Sequence, residues 1–202
     1  NGLVFIADHF HVRALWTNGE SRPGAGYEAL MQAVARRGIA MPDFSELPRE
    51  SMVQGARIEV LYPPVDFLER SRAERWRRDE NNNSLVTRVS LGQISVLIPG
   101  DIMRPAEKEL VALAGDQLRS TVLVAPHHGS RSSSSEEFLK AAAPAAVLIS
   151  CAGRPGSGMP HPRVLERYDR QGARFYRTDR DGAIRVTTDG RDVAIIPYVN
   201  SN

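Results

Sequence analysis

The residues best suited to chemistry fall in two short runs. I-P-G-D occupies Ile98–Asp101, and A-P-H-H-G-S-R-S-S-S-S occupies Ala125–Ser135. A carboxylate and two adjacent imidazoles form a hard and borderline donor set suited to Zn²⁺ or Mn²⁺. His161, in H-P-R-V-L-E-R, adds a third imidazole after a further apolar run. A single histidine is more often a structural hydrogen-bonder than a ligand. Here Asp101, the His127–His128 pair and His161 each follow a different predicted strand, and that pattern favours a metal site.

The elements that must position these groups are readable in outline. Ile94–Ile98 and Thr121–Ala125 are predicted strands, with a short helix at Glu107–Ala114 between them. Strands joined in this way lie parallel, so their C-terminal ends share one edge. Open α/β sheets carry ligands on that edge. Leu85–Ser90 and Ile94–Ile98 form a predicted hairpin, whose register sets Asn81–Asn83 beside Gly100 and Asp101. Three adjacent asparagines are ordinary loop residues, and from there Asn82 and Asn83 can also offer amides to the site. Ser132–Ser135 cap a helix at Glu136–Ala142, a hydroxyl-rich anion pocket beside the histidines. After a strand at Ala145–Ser150 and a Gly/Pro loop, His161 caps a helix over Pro162–Gln171. Strands at Ala173–Arg177, Ala183–Thr187 and Val193–Pro197 complete the sheet, the last two joined through Asp189-Gly190.

The first third of the chain carries less chemistry. Residues 2–10 read as a helix and Val12–Trp16 as a short strand. Tyr27, Leu30, Met31 and Val34 share one helical face that Gly38 ends. Gly24–Ala29 matches G-x-G-x-x-A, but no strand precedes it, so it reads as a turn and a helix start. A hairpin turns around Gly55. Arg70, Arg72, Arg75, Arg77 and Arg78 alternate with acids, which reads as a solvated segment ahead of a phosphate-tracking flap.

Composition narrows the class. A 202-residue chain with mixed charge and ordinary apolar content fits one well-cored globular domain spanning 1–202. Its net charge of +2 gives no global electrostatic argument for a polyanion partner. No apolar run approaches the about 20 residues of a membrane span. The start, Asn1–Ile6, has neither a basic leader nor an initiator Met, so the expectation is a piece of a longer protein. Cys151, the only cysteine, reads as a buried, inert thiol at a strand end. Ser157 sits in P-G-S-G, outside any nucleophile elbow.

Five blocks together resemble one family. They are E-N-N-N-S-L-V at Glu80–Val86, L-I-P-G-D at Leu97–Asp101, V-A-P-H-H-G-S-R-S-S-S at Val124–Ser134, H-P-R-V-L-E-R at His161–Arg167 and Y-R-T-D-R-D-G-A-I at Tyr176–Ile184. The chain resembles the C-terminal metallo-β-lactamase-like domain of the ComEC competence proteins, the DNA internalisation channel of transformable bacteria. The resemblance implies an α/β fold, an αβ-βα sandwich of two mixed sheets with helices outside. It implies a metal-dependent phosphodiesterase that degrades the DNA strand not taken up. On that reading Asp101 bridges divalent metals, His128 and His161 ligate them, and His127 or His128 assists the reaction. Asn82, Asn83, Ser130, Arg131 and Ser132 would hold the substrate phosphates.

Partners implied are single-stranded DNA, through its phosphates, and the channel domain of a parent protein in the bacterial inner membrane. One departure is large. The family's H-x-H-x-D-H motif is expected just before the helix at Leu3–Phe10, whereas Asp8-His9 and His11 have the wrong spacing. The first strands and the first metal motif are therefore expected to be missing, leaving weak or no metal binding and a catalytically incomplete fragment. Lost strands would expose a sheet edge that invites pairing between copies. Two alternatives stand beside this reading: a non-catalytic DNA-binding module, and a metallo-hydrolase with a substrate other than nucleic acid.

Overall fold

A computed structural model describes residues 2–21, 24–69, 80–153 and 158–199. The chain divides into two units, Asn1–Pro48 with Pro64–Arg75, and Arg49–Pro63 with Trp76–Asn202.

In the first unit, α1 (Gly2–His9) and α2 (Ala25–Arg37) bury a small apolar cluster. The predicted α2 stripe supplies Leu30 and Val34, which meet Ala7, Ala33 and Ile39 there. Gly38 ends α2 in the left-handed region, where its N–H bonds back to the helix carbonyls. Gly24 starts α2 with no strand before it, so the glycine motif is a turn and a helix start. Val12–Trp16 is not a strand: its only pairing among the described residues is one parallel bridge, Ala14 to Ala40. Leu15 N–H donates to Ala40 O and Ala40 N–H to Arg13 O, and among the described residues nothing extends the ladder. Phe44 and Phe67 pack edge to face elsewhere in this unit.

The second unit is built on a seven-stranded sheet. Its strands are β1 (Glu50–Val53), β2 (Ala56–Tyr62), β3 (Val86–Leu91), β4 (Ile94–Ile98), β5 (Val122–Val124), β6 (Ala146–Ile149) and β7 (Arg174–Arg177). They lie in chain order. The first four pair antiparallel, β1 with β2 and β3 with β4 through hairpins, while β2 and β3 are joined by a long connection. From β4 onward every pair is parallel, because each connection now contains a helix. Those helices are α3 (Arg104–Ala114), α4 (Glu136–Ala142) and α5 (Pro162–Arg170). Leu97, Leu123, Val147 and Ile149 from the strands meet Leu110, Phe138, Leu139 and Val164 from the helices in one core. The expected helix at Glu107 begins a turn earlier, with Pro105 in its first turn where its missing N–H costs nothing.

Two expectations are corrected here. The last two strands, β8 (Ile184–Thr188) and β9 (Val193–Pro197), do not complete the large sheet. After β7, the short helix α6 (Thr178–Asp181) and Gly182 carry the chain away, and among the described residues β8 pairs only with β9. This second sheet is antiparallel, so of the two sheets only the larger is mixed. No residue of β8 or β9 is fully buried. The fold class is α/β, and no described helix is long and apolar enough to cross a membrane.

Candidate functional site

The parallel half of the sheet sends three loops to one edge. Loop one follows β4. Gly100 has φ +64°, and a Cβ there would lie 2.7 Å from the Ser84 Cβ, so glycine lets this turn press against Ser84. Asp101 N–H then donates to Ser84 Oγ at 3.1 Å. Asn82 Oδ1 accepts from Met103 N–H at 2.9 Å. Both Asn82 and Asn83 are buried, so Asn82 braces the Asp101 turn from beneath. The Asp101 carboxylate itself stays 44% exposed.

Loop two follows β5. His127 and His128 both adopt left-handed backbone angles, and His127 N–H donates to Gly100 O at 3.1 Å, tying the second loop to the first. His128 Nδ1 lies 2.9 Å from Ser150 O. A carbonyl can only accept, so Nδ1 carries the proton and the neutral ring keeps its lone pair on Nε2. That Nε2 sits 3.7 Å from Asp101 Oδ1, beyond hydrogen-bond reach, with the imidazole half exposed. The His127 ring stands edge-on to His128, its Nδ1 buried and without a hydrogen-bond partner.

Loop three precedes α5. His161 N–H donates to Gly129 O at 2.9 Å, so its backbone joins the same rim. Gly129 has φ +78°, and a Cβ there would come within 2.8 Å of the Pro160 Cβ. His161 Nδ1, however, accepts the α5 cap bond from Arg163 N–H at 3.2 Å. A neutral ring in that role carries its proton on Nε2 and has no second lone pair for a metal.

A bound divalent ion therefore does not fit the donors as they stand. Among the described residues no group of three or more His, Cys, Asp or Glu is arranged to hold one. Asp101 and His128 meet; His161 shares the rim but uses its lone pair as a helix cap.

Behind the rim lies a network that sequence reasoning missed. Glu107 on α3 is fully buried, and its carboxylate accepts the Ser134 and Ser135 N–H groups. Burial raises its pKa, while the two serine N–H groups and the Arg167 guanidinium oppose that shift. Arg167 on α5 donates from Nη1 to Ser133 O and Ser134 O and from Nε to Arg163 O. Tyr168 OH and Ser134 Oγ share a 2.7 Å hydrogen bond, and burial holds the phenol above its ordinary range. Ser133 Oγ closes the loop on Pro126 O. Ser130 and Ser132 hydroxyls bond each other at 3.0 Å, and the Arg131 side chain is exposed. The readable signal was a charge on an apolar stripe: Glu107 aligns with Leu110 and Ala114, and Arg167 with Val164 and Tyr168.

The remaining candidates lie elsewhere. His9 in the first unit stacks on Phe5, with Nδ1 donating to the Phe5 carbonyl, and Asp8 pairs with Arg36. Cys151 is half-buried rather than buried; its thiol donates to Asp179, and burial first, then that carboxylate, push its pKa up. The Arg177 guanidinium beside Asp179 draws the Asp179 carboxyl down to about 2. Arg70, Arg72, Arg75, Arg77, Arg78 and Ser157 fall outside the described residues.

No family model matches the chain. Known proteins do resemble it. Competence protein ComA of Neisseria gonorrhoeae is 37% identical over 168 residues, 82% of this chain. ComE operon protein 3 of Bacillus subtilis is 29% identical over 166 residues, 81% of this chain. These similarities support a competence-protein family. Recombination protein 2 of Haemophilus influenzae is 33% identical over 109 residues, 54% of this chain. The matched stretch is 24% of the Neisseria protein's length and 20% of the Bacillus protein's.

Proposed function

We propose that this chain is a DNA-handling domain of a competence protein, with a metallo-β-lactamase-like arrangement of its sheets, and that it serves DNA uptake. The similarity to competence proteins over four-fifths of the chain supports the process. One observation carries the site: Asp101 and His128, from the ends of neighbouring parallel strands, face each other at 3.7 Å on an open rim. Half-exposed acid and imidazole held by their backbones, with their reactive atoms left unbonded, are what a phosphodiester site needs.

In the whole protein this rim contributes to a metal-dependent phosphodiesterase acting on the strand that is not taken up. The chain by itself supplies Asp101 and His128 toward a donor set that other residues must complete. Calorimetric titration of the chain with Mn²⁺ or Zn²⁺ is expected to show no tight stoichiometric site. Tight binding together with DNA cleavage by the chain alone would contradict this.

The second reading, DNA binding without chemistry, is favoured by the His161 cap bond, which removes one lone pair from the donor set. It predicts salt-dependent DNA affinity that survives Asp101→Ala and His128→Ala together, with no cleavage to lose.

A further inference from the structure

A second feature of the large unit lies beyond the rim. The outer ends of α3, α4 and α5 and the Ser130–Ser135 loop enclose an open cleft of about 830 Å³. Its lining has seven cationic side chains, three carboxylates and one serine. Arg170 is paired with Glu136 at 3.2 Å. Lys108, Arg131, Lys140 and Arg163 are exposed and make no ion pair with a described carboxylate. This concentration of positive charge stands out in a chain whose net charge is only +2. Arg167 forms part of the wall. Its Nε and Nη1 are held by backbone carbonyls, and its buried Nη2 has no hydrogen-bond partner among the described residues.

We propose that this cleft binds the phosphodiester backbone of a single nucleic-acid strand, through Lys108, Arg131, Lys140 and Arg163. The proposal rests on the DNA reading above but not on any chemistry at the rim. Guanidinium forks match phosphate oxygens, and the ammonium groups add charge. The described lining residues include no aliphatic or aromatic side chain, so an apolar ligand would find no anchor. A cleft lined by charged side chains and one serine reads backbone without sequence. Arg131, three residues after His128 in the chain, is one of the lining residues.

The test is fluorescence anisotropy of a labelled oligothymidylate with the chain across a salt series. Four phosphate contacts predict a slope of log affinity against log salt of about −3. Lys108→Glu with Lys140→Glu is expected to weaken binding at least tenfold, roughly, and to flatten the slope by about 1.4. Both lysines are exposed, and a circular dichroism melt checks that the variant folds. Unchanged affinity in the folded lysine variant, no binding at low salt, or equal competition by polyglutamate would each overturn the proposal. The rim is judged separately, by cleavage in the full-length protein.

Discussion

Two regions a few residues apart treat their polar groups in opposite ways. Behind the Ser133–Ser135 loop, Glu107 is sealed from water and bonded to two backbone N–H groups, with Arg167 and Tyr168 alongside. On the rim, Asp101 and His128 stay about half exposed, and their facing atoms are too far apart to bond. Buried polar groups must be satisfied or they destabilise the fold. Groups meant to meet a ligand must not be satisfied beforehand. The contrast separates a brace from a site within one loop system.

Breaking the brace has the largest expected effect. Glu107→Ala strands the Ser134 and Ser135 N–H groups and removes a carboxylate that favours the Arg167 charge, a loss of about 3–5 kcal/mol. Urea unfolding measures it, and a loss under about 1 kcal/mol would show that the network carries little. Next is Gly129→Ala, which combines a left-handed backbone with a clash on Pro160. It should cost about 1–3 kcal/mol and shift the His161 amide resonance, because the Gly129–His161 backbone bond must move.

Asp179→Asn removes the partner of Arg177 and of the Cys151 thiol, a loss of about 1–2 kcal/mol. Its pH dependence has a definite sign. A depressed carboxyl adds stability above its unfolded value, and that stability is lost as pH falls toward about 2. The acid-side decline in melting temperature between about pH 4 and pH 2 should therefore be shallower in Asp179→Asn. Glu107, with its pKa raised, acts the other way: its contribution declines as pH rises through its folded value.

Asp101→Ala and His128→Ala sit at the small end. Exposed side chains without strong partners change stability by no more than about 0.5 kcal/mol. A larger loss at either position would blur the line between brace and site.

Much of the fold was legible. The β3–β4 hairpin, the parallel strands at Val122–Val124 and Ala146–Ile149 and the helix opened by His161 follow from apolar runs and turn residues. What eluded the sequence depended on partners. Val12–Trp16 has strand-like composition but only one bridge, since pairing is decided by what lies alongside. The β8–β9 pair left the main sheet because of a helical turn too short to read. The rim was legible as residue types at strand ends. The role of His161 Nδ1 as a helix cap was not legible as a limit on its chemistry, because that depends on which nitrogen is spent.

The most direct test is cleavage of single-stranded DNA by the full-length protein with Mn²⁺ supplied, comparing wild type with Asp101→Ala at equal folded concentration. Loss of a group at the reacting phosphate should slow cleavage by at least about 100-fold while DNA binding persists through the basic cleft. Cleavage at the wild-type rate in the Asp101→Ala protein would contradict the account.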